Sequence, residues 1–110
     1  MWELKYSADD PNVLWFTYKG RTFALTSHPY EPLIYIKDEG KLVCILHMAF
    51  NTFELIDAFS KGGSVKAADW KDYDEQAFCR AVAAALDDGR GELDFTYAAK
   101  LALKRKEERT

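Results

Sequence analysis

The stretch KLVCILHMAFN, residues 41 to 51, decides how this chain is read. Lys41 to His47 has the residue types of a β-strand, and from Asn51 onward the apolar spacing becomes helical. Side chains alternate along a strand, so Leu42, Cys44 and Leu46 are expected on one face and Val43, Ile45 and His47 on the other. Five of these six positions are apolar or thiol, which predicts a strand covered on both faces or placed centrally in a sheet. Cys44 and His47 are three residues apart and, without a bulge between them, are expected to point to opposite faces, which disfavours a nucleophile and base pair.

Upstream of this stretch the sequence reads as strands and turns. Trp2, Leu4 and Tyr6 alternate with Glu3 and Lys5, and SADDPN then interrupts with turn residues. VLWFTY (13–18) and RTFALTS (21–27) flank Lys19-Gly20, which reads as a tight hairpin loop. HPYEP carries Pro29 and Pro32 and predicts a fixed loop rather than regular pairing. LIYIK and KLVCILH then read as a second hairpin around the three residues Asp38, Glu39 and Gly40.

Downstream the pattern is helical. Asn51 with Glu54 resembles a capping box, and Phe53, Leu55, Ile56 and Phe59 form an apolar stripe over 51–61. Gly62 fits a left-handed helix end, and SVKAADW is a connection. A second helix is expected over 73–88, capped by Asp72 or Asp74 and closed by Gly89, with Phe78, Ala81, Val82, Ala85 and Leu86 facing the core. Its alanines predict close approach to a neighbouring element. ELDFTY supports two readings, since Leu93, Phe95 and Tyr97 alternate while Leu93, Tyr97 and Leu101 keep helical spacing; a strand through Tyr97 with a helix from Ala98 is the expectation. The expected fold class is α+β: an antiparallel β-meander of about five strands with two or three helices packed on one face. Residues 1–110 are expected to form a single domain whose basic tail, 98–110, is helical and frayed at its end.

Composition narrows the function classes. The chain has 110 residues, 48% hydrophobic and 30% charged, with three Trp, six Tyr and seven Phe, enough apolar surface for a core. No apolar run is long enough for a membrane span, and the acidic N-terminal stretch does not resemble a signal peptide, so a soluble cytoplasmic protein is expected. Cys44 and Cys79 have no CxxC partner and read as reduced core residues. The net charge of −3 divides into −1 for residues 1–66, −5 for 67–97 and +3 for 98–110. The basic tail is diluted by Glu107 and Glu108, which weakens it as a nucleic-acid footprint.

Candidate sites are few. His28 stands before Pro29, where the backbone is held extended, and His47 ends a strand; either could line a pocket with a nearby Tyr. Two histidines without HxH or HExxH spacing do not make a metal site. The paired acids at 9–10, 38–39, 74–75 and 87–88 all fall in turns or at helix ends, where capping and solubility explain them. Phosphate-binding glycine loops and a GxSxG elbow are absent, and the residues imply no cofactor. The sheet aromatics Trp15, Phe16, Tyr18, Phe23 and Tyr35 put large rings on both faces of a sheet whose helices cover only one. These five are the candidate interaction residues. The leading expectation is a non-enzymatic module that binds a protein partner or a second copy of itself, through an open sheet face or an edge strand. The alternatives are a small-ligand binder or enzyme with a pocket near His47, and a nucleic-acid-related accessory protein or inhibitor.

Overall fold

The computed structural model describes residues 2–10, 12–49, 51–60 and 74–108. The chain runs β1 (Trp2–Tyr6), β2 (Val13–Tyr18), β3 (Arg21–Ser27), β4 (Leu33–Asp38), β5 (Lys41–His47), α1 (Thr52–Ser60), α2 (Glu75–Asp88), β6 (Glu92–Asp94) and α3 (Phe95–Glu108). One six-stranded open sheet has these strands in sequence order. The first five pair antiparallel as a meander, and the fold is α+β with helices on one face of the sheet.

Two hairpin loops set the registers. Tyr18 pairs with Arg21 around Lys19 and Gly20, whose φ angles are 52° and 78°. Asp38 pairs with Lys41 around Glu39 and Gly40, at 51° and 83°, so this loop has two residues and not the three expected. Consecutive positive φ values are the mark of the two-residue turn whose twist suits antiparallel strands. Between β4 and β5 the register then slips: Ile36 faces Cys44, whereas Lys37 faces Leu42. Val43 is the extra residue of a β-bulge, and it moves Leu42 off the face of Cys44 and Leu46. Leu42 is consequently 50% exposed, against the expectation that it shares their buried face.

The helices cover the face that carries Leu14, Phe16, Phe23, Leu25, Ile34, Ile36, Cys44 and Leu46. Leu55, Ile56 and Phe59 of α1 and Phe78, Val82 and Ala85 of α2 complete this core. Rings stack through it, with Phe59 5.1 Å from Phe78 and Phe78 5.8 Å from Phe95 between centroids. Ala81, Ala83, Ala84 and Ala85 are buried along α2, where their small side chains let the sheet and α3 come close. Asp74 caps α2 by accepting the Ala77 N–H at 2.7 Å, and Gly89 ends it in the left-handed region. Asn51 accepts the Phe53 N–H at 2.9 Å at the start of α1. Asp72, Gly62 and the SVKAADW connection lie outside the described residues.

The segment after α2 corrects the expected boundary. Only Glu92–Asp94 is strand, paired parallel to β5, and the helix already begins at Phe95. The physical reason is burial: Phe95 and Ala98 lie one helical turn apart and both face the core, while Tyr97 is exposed. A strand continued through Tyr97 would place Ala98 out of that core. Among the described residues no helix is long and apolar enough to cross a membrane.

Candidate interaction surface

The second face of the sheet follows from the registers. Lys5 pairs with Trp15, Trp15 with Ala24, and Ala24 with Lys37. The adjacent row runs Val13, Thr26, Tyr35, Ile45 and Glu92. Every buried strand residue belongs to the helix-covered face, and no residue of these two rows is buried. Trp15 is 42% exposed, Tyr35 and Ile45 are half-buried, and the small Ala24 leaves a shallow floor between Trp15 and Lys37. Lys37 extends its ammonium to 5.8 Å from the Tyr35 ring, an arrangement in which a cation meets the electron-rich face. The two hydroxyls of Thr17 and Thr22 lie 3.1 Å apart. An apolar centre with a charged margin results.

The five sequence-predicted rings are therefore not one surface. Trp15 and Tyr35 lie on the open face. Phe16 (0% exposed) and Phe23 (7%) are core residues opposite each other on β2 and β3. Tyr18 also faces the helices, and its hydroxyl donates to Asp87 Oδ2 at 2.6 Å. The missed members are Val13, Ala24, Ile45 and Leu42; strand alternation marks the first three once Trp15 is assigned to the uncovered side, whereas Leu42 joins them only through the bulge.

Tyr18 belongs to a cleft of about 320 Å³ where the two hairpin loops meet the end of α2. Phe23, Val43, Cys44 and Leu86 line it with Tyr18, Lys19, Arg21, Asp38 and Asp87. Its charges are used within the chain. Lys19 Nζ donates to Asp87 Oδ1 at 2.9 Å, and that hydrogen bond, followed by the carboxylate charge, holds the ammonium above its ordinary pKa. Arg21 Nη1 lies 3.1 Å from Asp38 Oδ2. Asp88 and Arg90 pair beside it, and Arg90 also donates to the Tyr97 hydroxyl at 3.1 Å. This cluster ties the C-terminal end of α2 to the sheet, and Asp87 and Asp88, which oppose the helix dipole, have local cations as their compensation.

The histidines stand apart from one another. His28 Nδ1 accepts the backbone N–H groups of Tyr30 at 3.0 Å and Glu31 at 2.9 Å, so the ring folds the proline loop. His47 Nε2 lies 2.5 Å from Glu92 Oε1, across the β5–β6 pair. A shallow groove of about 520 Å³ beside the proline loop is lined by Pro29, Tyr30, Pro32, Asn51 and Phe53, and neither histidine lines it or the hairpin-end cleft. Cys44 and Cys79 are free and buried, and burial pushes their thiols up to about 11 and about 12, which makes them poor nucleophiles. No group of three or more metal-ligating side chains occurs among the described residues. Lys100 and Lys104 are exposed on α3, and the side chains of the basic tail beyond Lys104 lie outside the described residues.

No family model, no curated protein and no solved structure matches this chain.

Proposed function

We propose that this chain is a small non-enzymatic module that binds a protein partner through the open face of its sheet. The observation that carries this reading is that all buried strand residues lie on the helix side, while the opposite side exposes Trp15 and leaves Tyr35 and Ile45 half-buried. Tryptophan and tyrosine supply large contact area with few rotatable bonds, and they dominate binding energy at protein interfaces. The margin suits the same use, because Lys5 and Lys37 flank Trp15 and Ala24 in one row and Glu92, paired with His47, ends the other. Nucleic acid fits less well, since single-strand binders flank exposed rings with cations and here Glu3, Glu92 and Asp94 share the face.

The test is an affinity pull-down from source-cell lysate with and without nuclease, using wild type, Trp15→Ala and, as a surface control, Leu103→Ala. Capture of a protein that resists nuclease, is lost with Trp15→Ala and persists with Leu103→Ala supports the reading. Capture that is unchanged by Trp15→Ala, or that disappears with nuclease, overturns it.

A further inference from the structure

The edge strand β1 carries a second, self-complementary surface. Among the described residues only β2 pairs with β1, which leaves its outer side as a sheet edge. Ser7 N–H bonds to the Val13 carbonyl at 3.2 Å, and this position follows Tyr6↔Leu14 in the register. Hydrogen-bonding direction alternates along an antiparallel strand, so Glu3 and Lys5 point their backbone groups at β2, and Trp2, Leu4 and Tyr6 point theirs outward.

From this the geometry points to an isologous dimer in which β1 pairs antiparallel with β1 of a second copy, centred on Leu4. A two-fold pairing through the outward groups must match even positions with even positions, which allows three registers in which the five residues overlap well. Centring on Leu4 sets Glu3 opposite Lys5 of the second copy twice, Leu4 opposite Leu4, and Trp2 opposite Tyr6 twice. Shifting one way sets Glu3 against Glu3, and shifting the other way sets Lys5 against Lys5. Opposite charges directly across a strand pair are favourable and like charges are not, so the charge pattern selects the central register. Six backbone hydrogen bonds then form between the copies.

Two further features agree with this register. Tyr6 is 60% exposed on the helix side of the sheet, although its neighbours Leu4 and Trp2 are partly covered there. A cleft of about 410 Å³ lies between β1 and α2, lined by Trp2, Leu4, Gln76 and Cys79. The register brings Tyr6 of the second copy alongside Trp2, at the mouth of this cleft. Glu3 and Lys5 are bonded to each other at 3.1 Å within one strand, and pairing turns them into a four-charge cluster of alternating sign. Five residues per edge make a small interface, so the association is weak, with a dissociation constant on the order of 100 μM. Because an edge-to-edge dimer leaves both open faces uncovered, the inference stands independently of the proposed partner surface.

The test is sedimentation equilibrium of the full chain up to about 1 mM. Four samples are compared: wild type, Glu3→Lys, Lys5→Glu, and an equimolar mixture of those two variants. Wild type is expected to reach a dimer, and each variant alone to associate about ten-fold more weakly or less, because it replaces two opposite-charge pairs by two like-charge pairs. The mixture is expected to recover wild-type association, since one copy then offers two cations to two anions. Thermal unfolding confirms that each variant keeps its fold. A monomeric wild type, single variants that dimerise undiminished, a mixture that fails to recover, or growth beyond a dimer each overturns the proposal.

Discussion

Strand β2 has two sides with opposite fates. Leu14 and Phe16 are fully buried and Tyr18 is bonded to α2, while Val13, Trp15 and Thr17 alternate with them and face no helix. Trp15 is as large and nearly as apolar as Phe16, so residue type alone does not separate them. The separation comes from supply: α1 and α2 provide enough apolar surface for one layer, and both lie on the same side of the sheet. Hydrophobicity specifies that a residue can be buried. Topology decides whether it is.

The contrast can be broken most sharply with Phe16→Ala and Trp15→Ala. The first removes a ring from a closed core and is expected to lower stability by about 3–5 kcal/mol, whereas the second is expected to cost about 1 kcal/mol or less in urea unfolding. Equal costs would mean that something covers the open face in solution. Alkaline titration sharpens the same contrast from the thiol side. Cys44 and Cys79 have folded pKa values of about 11 and about 12 against an ordinary 9.0. Above pH 9 the unfolded chain releases protons that the folded chain retains, so stability is expected to fall as pH rises from 9 to about 12. Double replacement of both cysteines by alanine should flatten that slope. In the native state at about pH 8 the thiols should also react with a disulfide reagent far more slowly than in denaturant.

Smaller effects test what holds the two sides in place. Tyr18→Phe removes the 2.6 Å hydrogen bond to Asp87 and is expected to cost about 1 kcal/mol by the same unfolding measurement. Glu39 sits at a positive φ of 51° that asparagine tolerates better. Glu39→Asn is expected to raise stability by a few tenths of a kcal/mol without changing either face. A loss would show that the loop chemistry is held by something other than backbone preference.

The meander and the two helices that follow it were legible in the sequence because period-two and helical spacing are local signals. The position of Asp74 and Gly89 around α2 came from the same local chemistry. The bulge at Val43 was not legible, since no Gly or Pro marks it and the slip appears only when Ile36 and Lys37 are matched to β5. Nor was the early start of α3, where alternation and helical spacing coincide until Phe78 supplies a stacking partner for Phe95. The candidate rings were half legible. Alternation divided Trp15 from Phe16 but did not say which side the helices would take, and Phe23 stood among the candidates although the structure buries it. His47 matched a strand-end position, while its partner Glu92 comes from a distant strand that only the fold brings alongside.

The parallel pairing of β6 with β5 also bears on folding order. Hairpins from β1 to β5 close short loops, but Glu92 reaches Ile45 only after the whole of α1 and α2 has been laid over the sheet. Closing a loop of that length costs more entropy than closing a hairpin, so the meander is expected to form first and the last strand to dock late. The amide of Ile45, which donates to the Gly91 carbonyl at 2.9 Å, is a natural clock for that step. In a refolding experiment with pulsed hydrogen exchange, amides of the β2–β3 pair should become protected before it, and an intermediate caught between the two events would carry the apolar side of its sheet unroofed.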